Sequence, residues 1–344
     1  MKSEIDIAFA LLKSTLEGSE EQVTLNSHDW WGLFRLLQKN HVAALAAESI
    51  AQLPEAQQPP RDVLIPWLAE QEKSAAWFRY QQQVQQSIVD LLHKHGIETL
   101  VLKGTRTAQH YPLPELREFG DLDLYFYDKH DEADHIIQRH FGVDITNDVN
   151  HHTKYNIRGV TVESHYHLLN HYHPHSNRNY EALLKQLIET NPSTFEILFL
   201  LRHMACHFVA SRITLRDLVD WTLTCRALDK QVDWAVVERT VSDYGMSRFT
   251  AALCQIAERR FAAHFSLNFP TTANLDTIER DIVYGSLQTA DHDHEDIHRF
   301  FWKLRRYRAN RWKQRFVFND TSFSLLFSNL SAHTRNPRSI LHKM

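Results

Sequence analysis

The run Gly120-Asp121-Leu122-Asp123-Leu124-Tyr125-Phe126 restricts the fold more than any other part of the chain. Its alternation is that of a β-strand, with Leu122, Leu124 and Phe126 on one face and Asp121 and Asp123 on the other. Two neighbouring carboxylates repel, and one is pushed toward its protonated form unless a cation intervenes. Such a strand lies either at a solvated edge or over a pocket that supplies positive charge. A hard divalent ion, held by one or two carboxylates together with substrate phosphates, satisfies the second arrangement.

Three features favour the pocket. Val101-Leu102-Lys103-Gly104-Thr105 has the form of a buried strand ending in a tight turn before a helix, where backbone N–H groups can meet phosphate. Gly120 admits the loop to the acidic strand without a Cβ. Arg117, three residues upstream of Gly120, carries a planar fork suited to phosphate or carboxylate. Glu163 and His165 share a face of a further alternating run, Val-Thr-Val-Glu-Ser-His, and a third acid would complete a two-ion cradle. Each feature alone also has a structural reading: a plain strand-to-helix turn, an exposed strand acid, a packed histidine, a buried cation for Lys103 or Arg117.

The flanks read differently. Ile7, Leu11 and Leu12, then Leu33, Leu36 and Leu37, recur at helical spacing, and a long helix is expected from about 66 to a C-capping Gly96. Short strands and one acid-led helix occupy 97–168, and helical periodicity returns from about 180. At 344 residues the prior is about two domains. The expected division is 1–95 helical, 96–170 α/β and 171–344 helical. A net charge of −4 excludes wholesale electrostatic binding of nucleic acid but allows a local basic patch. Three scattered cysteines fit a reducing compartment rather than a disulfide framework. Acids inside the first apolar stretch argue against a secretory signal. The most apolar run, 195–210, is interrupted by Arg202, His203 and His207 and is too short for a membrane span. A cytoplasmic protein without membrane contact is expected.

The order Leu102-Lys103-Gly104, Tyr111-Pro112, Arg117, Gly120-Asp121-Leu122-Asp123-Leu124, Val162-Glu163-Ser164-His165 resembles the polymerase-beta-like nucleotidyltransferase superfamily. It is most similar to the uncharacterised bacterial nucleotidyltransferase branch, and the similarity extends over most of 28–225. The superfamily's usual Gly-Ser is Gly104-Thr105 here. The resemblance implies an α+β fold, with a small mixed β-sheet nucleotidyltransferase core embedded in a predominantly helical protein. It implies transfer of a nucleoside monophosphate from an NTP, ATP by preference, to an unidentified acceptor with release of pyrophosphate. Asp121, Asp123 and Glu163 would be catalytic and would hold Mg²⁺ or Mn²⁺. Lys103, Gly104, Thr105, Arg117 and Gly120 would contact the nucleotide.

Two other readings stay open. A nucleotide- or phosphate-binding module would keep the pocket without turnover. A metal-dependent hydrolase would use His203 and His207, at i, i+4 on a helix, with Asp217 and Asp220. A buried polar contact among His207, Arg216 and Asp220 is the plainer reading of that set. The histidine runs 165–175 and 291–296 lack cysteine partners and read as loop residues. Residues 301–316 interleave seven Lys/Arg with aromatics, which fits a solvated amphipathic helix or an RNA contact.

Overall fold

Apolar residues three and four apart build the first part of the chain into helices. The computed structural model describes residues 4–18, 29–148, 152–169, 174–267, 269–285 and 310–318. Helices α1 (Glu4–Glu17), α2 (Trp30–Lys39) and α3 (Ala43–Ala51) precede the long α4 (Arg61–Lys94). Trp67, Ala75, Phe78, Gln81, Val84, Ile88 and Leu92 form the buried stripe of α4. The expected C-cap glycine, Gly96, follows α4 with φ +71°.

The sheet comes next. Strand β1 (Leu100–Val101) is shorter than its apolar run suggests. Leu102 N–H still reaches the Asp123 carbonyl at 2.9 Å, but Gly104 then turns the chain away with φ +68°. That φ favours glycine, and a Cβ at Gly104 would also press on the Phe119 ring at 3.3 Å. After the four-residue α5 (Thr105–Ala108) come β2 (Asp121–Tyr125), α6 (His130–Phe141), β3 (Thr146–Asp148), β4 (His152–Ile157) and β5 (Val160–His165). The strand order is β1-β2-β5-β4-β3. Only β2 and β5 run parallel, joined by a crossover that carries α6.

The two faces of this mixed sheet have opposite chemistry. Leu122, Leu124, Val160, Val162, Tyr155 and Ile157 pack with Phe78, Val84, Ile88 and Leu92 of α4 and with Ala133 and Ile137 of α6. Asp134 pins α6 to the sheet by accepting hydrogen bonds from Thr153 Oγ1 (2.5 Å) and Ser164 Oγ (2.7 Å). The other face presents Asp121, Asp123, Glu163 and His165.

The remaining helices are α7 (Pro174–Thr190), α8 (Pro192–Ala210), α9 (Leu215–Leu228), α10 (Trp234–Asp243), α11 (Ser247–Phe261) and α12 (Leu275–Tyr284), with a further helical stretch at 310–317. The apolar run expected as a buried helix is α8, and its Phe195, Leu198, Leu201 and Phe208 lie in the larger core shared with α1–α3. No helix among the described residues is long and apolar enough to cross a membrane. The mostly helical chain with a small mixed sheet is the expected α+β class.

One basic residue of 301–316 is not solvated. Lys313 is fully buried, with Nζ 2.6 Å from Asp281 Oδ2 and 2.8 Å from the Ser211 carbonyl. Its charge is spent inside the protein and is not offered to RNA. Residues 301–309 and the histidine run 291–296 lie outside the described residues.

Candidate active site

Register decides which side chains meet. In the parallel pair, Asp121 lies opposite Thr161 and Asp123 opposite Glu163. In the antiparallel pair, Lys154 lies opposite Glu163 and His152 opposite His165. Directly opposed residues share a face of a sheet, so three acids, two histidines and a lysine gather on one side. Asp121, Asp123, Glu163, His152, His165 and Lys103 line a single cavity of about 380 Å³. Helix α8 walls it with Phe199, Arg202, His203, Cys206 and His207, and α9 adds Arg216. The hydrolase reading put those two histidines in a rival metal site, and the plainer reading put His207 in a buried polar contact. They are the opposite wall of the same cavity.

Each acid has a distinct electrostatic setting. Asp123 is 2% exposed, and its Oδ1 takes both Lys103 Nζ at 3.0 Å and His165 Nε2 at 3.1 Å. Burial would raise its pKa, but Lys103 and His165 outweigh burial and hold it well below the usual carboxylate range. Asp121 behaves oppositely. Burial first, then the charge of Asp123 and a smaller push from Glu163, raise its pKa against the opposing pull of Lys103 and Lys154. Glu163 Oε1 accepts from Lys154 Nζ at 3.1 Å and lies 3.6 Å from His152 Nε2. Burial alone would lower the pKa of Lys103, yet Asp123, Asp121 and Glu163 hold it above its ordinary value. Lys103 also approaches His203 Nε2 at 3.3 Å. Burial and the Lys103 charge keep His203 well below the ordinary histidine pKa, so it faces the ammonium as a neutral acceptor.

The donor set fits a divalent cation. Both protein contacts of Asp123 fall on Oδ1 and both of Glu163 on Oε1. Among the described residues this leaves Oδ2 of Asp123 and Oε2 of Glu163 unclaimed, and Asp121 makes no hydrogen bond or ion pair. His152, Glu163 and His165 each offer a ligand atom, all within 4.8 Å of one another. Carboxylate oxygens beside imidazole nitrogens suit Mg²⁺ or Mn²⁺ on the aspartate side and a borderline ion on the histidine side.

Gly104, Thr105, Arg117 and Gly120, the other residues expected at the nucleotide, do not line this cavity. Arg117 is buried and clamps Asp220 with two bonds of 2.7 Å, while its Nη1 donates to the Gly104 carbonyl at 3.3 Å. Tyr111 Oη adds a 2.6 Å bond to Asp220 Oδ1. The fork is therefore committed to a carboxylate from α9 and braces the Gly104 turn. Thr105 Oγ1 donates to Gln85 Oε1 at 2.6 Å. Gly120 needs no special conformation, and a Cβ there would meet nothing within 4 Å. The hydrolase set does not assemble, because Asp220 belongs to Arg117 and Asp217 caps α9 through Thr214 N (2.7 Å) and Thr214 Oγ1 (2.8 Å). The expected His207–Arg216–Asp220 contact is only partial, with Arg216 Nε 4.0 Å from Asp220 Oδ2.

Sequence reasoning missed His152, Arg202 and Arg216 as lining residues. His152 lies two residues before Lys154 on an alternating strand, which was the one signal available.

A family model described as "Uncharacterised nucleotidyltransferase" matches residues 26–262, which is more than half of the chain. No curated protein and no solved structure matches.

Proposed function

The chain belongs to this uncharacterised nucleotidyltransferase family, and from that premise we propose that it moves a nucleoside monophosphate from an NTP to an acceptor. The observation that carries the proposal is the β2–β5 register, which sets Asp123 beside Glu163 with Asp121 on the same face of one cavity. Asp121, Asp123 and Glu163 would hold the divalent ion, with His152 and His165 beside them. Once bound, that ion would supply charge neutralisation at the phosphates and polarise phosphoryl oxygen.

The protein's own groups do the rest. Glu163 takes the proton of the acceptor nucleophile. The nucleophile's bond to the α-phosphorus forms, the bridging P–O bond to the β-phosphate breaks, and pyrophosphate leaves with that electron pair. Lys103, kept protonated by the acids around it and flanked by His203, offers positive charge to the leaving phosphates. The α8 and α9 wall narrows the space an acceptor can enter. Such chemistry depends on placement and charge rather than on a covalent protein intermediate.

The test is label transfer. Wild type and an Asp121→Ala/Asp123→Ala variant are incubated with labelled NTPs, Mg²⁺ or Mn²⁺ and a cell extract. Transfer that the double variant loses supports the enzyme, and equal transfer by both proteins contradicts it.

One observation favours a second reading, a binding module without turnover. Lys103 and Lys154 already sit on Asp123 and Glu163 at 3.0 and 3.1 Å, so two of the three acids have a cationic partner without an added ion. NTP binding that is independent of divalent metal, with no label transfer, would select this reading.

A further inference from the structure

A second cavity, of about 500 Å³, opens beside the acidic one. It follows one stripe of α4 through Lys73, Trp77 and Gln81 and is closed by residues 117–120 and by Arg216. Arg216 lines both cavities, and Gly120 of the second is bonded directly to Asp121 of the first. The missing side chain at Gly120 relieves no clash, so its effect is to leave space next to the acids.

The second cavity differs in kind from the first. Trp77 is 40% exposed, and Phe78 and Phe119 meet edge to face with ring centroids 5.6 Å apart. Its charges are largely paired: Glu118 with His41 at 3.7 Å, Glu70 with Lys73 at 3.8 Å, and Arg117 with Asp220. An aromatic, nearly neutral lining suits an uncharged planar group and not a polyanion.

Two buried polar atoms at this place make no hydrogen bond among the described residues. Gln81 is fully buried on the α4 stripe, between Phe78 and Val84, where an apolar residue would pack. Its Nε2 donates to the Phe119 carbonyl at 3.3 Å, while Oε1 has no hydrogen-bond partner among the described residues. The carbonyl can only accept, which fixes the amide's orientation. A buried amide oxygen left unpaired is costly, and a ligand N–H would remove that cost. Arg216 Nε, at the junction of the cavities, also has no hydrogen bond.

Building on the nucleotidyltransferase reading, we propose that this cavity takes the nucleobase of the NTP. The base stacks on Trp77 and donates an N–H to Gln81 Oε1. The phosphates pass Arg216 toward Asp121.

Calorimetric titration of the full chain in Mg²⁺ tests this, with ATP, GTP, CTP and UTP set against inorganic tripolyphosphate, which has the phosphates but no base. The best NTP is expected to bind at least about tenfold tighter than tripolyphosphate, the scale of one base–aromatic stack with a hydrogen bond. Trp77→Ala and Gln81→Leu should each shrink that ratio toward unity while leaving tripolyphosphate affinity in place. Trp77 is part-exposed, so its variant decides the matter if Gln81→Leu fails to fold. Equal affinity for NTP and tripolyphosphate, or a ratio retained in the variants, overturns the nucleobase site while the phosphate-binding acids stand. Binding of neither overturns the nucleotidyltransferase reading and this proposal together.

Discussion

Two of the buried cation–aspartate pairs in this molecule, Arg117–Asp220 and Lys103–Asp123, are built to different ends. In the Arg117–Asp220 pair every strong group is matched: two 2.7 Å bonds join fork to carboxylate, Tyr111 takes a remaining lone pair, and Nη1 reaches a carbonyl. In the Lys103–Asp123 pair one ammonium faces Asp123, Asp121 and Glu163 together, and Asp121 is left without a direct partner. The first set is closed and ties α9 to the Gly104 turn. The second is short of positive charge and lies open to a cavity. A saturated pair holds structure, and an unsaturated one invites a cation or a substrate.

The contrast can be broken by substitution. Arg117→Met leaves Asp220 buried without its counter-charge and should cost about 3–5 kcal/mol of unfolding free energy. Denaturant titration checks it, and added Mg²⁺ should raise this variant's stability by no more than it raises that of wild type. Lys103→Met should cost less, about 1–3 kcal/mol, because the cavity admits other cations. Mg²⁺ should recover that loss, by up to about 2.7 kcal/mol at a hundredfold excess over its Kd. A Mg²⁺ gain in the Arg117 variant larger than that of wild type, or no extra gain in the Lys103 variant, would erase the distinction.

Thr105→Val tests a residue whose hydroxyl donates to Gln85 Oε1. Losing the bond to Gln85 should lower stability by about 1 kcal/mol in the same assay, with NTP affinity kept. The smallest effect, and the only gain, belongs to Asp121→Asn. The folded-state pKa of Asp121 lies above its ordinary value of 3.8, so the native state binds that proton more tightly than the unfolded chain. Its contribution to stability therefore falls as pH rises through that window and stays unfavourable at neutral pH. In chelator-treated buffer the asparagine variant should be the more stable protein at pH 7. The difference should fade below the ordinary aspartate value.

Local pattern was enough for the elements but not for their partners. The period of two in 121–125 and 160–165, the acid-led α6 with Gly142 at its end, and the apolar α8 were all legible because backbone periodicity is local. That Asp123 would stand beside Glu163 was legible only through family resemblance, since strand register is a tertiary choice. Arg117 stayed open between a nucleotide contact and a buried structural cation because its partner Asp220 lies 103 residues away. The basic run around 313 read as a wet surface because nothing near Lys313 in the chain announces Asp281. His203 and His207 left two readings open, a buried polar contact or a separate metal pair, and folding places them across the cavity from the acids. Long-range charge pairing accounts for most of what the pattern missed.

The central claim is that Asp121, Asp123 and Glu163 act as one divalent-cation site that engages a triphosphate. Electron paramagnetic resonance titration of Mn²⁺, with and without ATP, reads it directly. Wild type should bind Mn²⁺ and bind it tighter with ATP present, while folded Asp121→Ala/Asp123→Ala should do neither. Unchanged Mn²⁺ binding by the double variant, or none by wild type, would contradict the account.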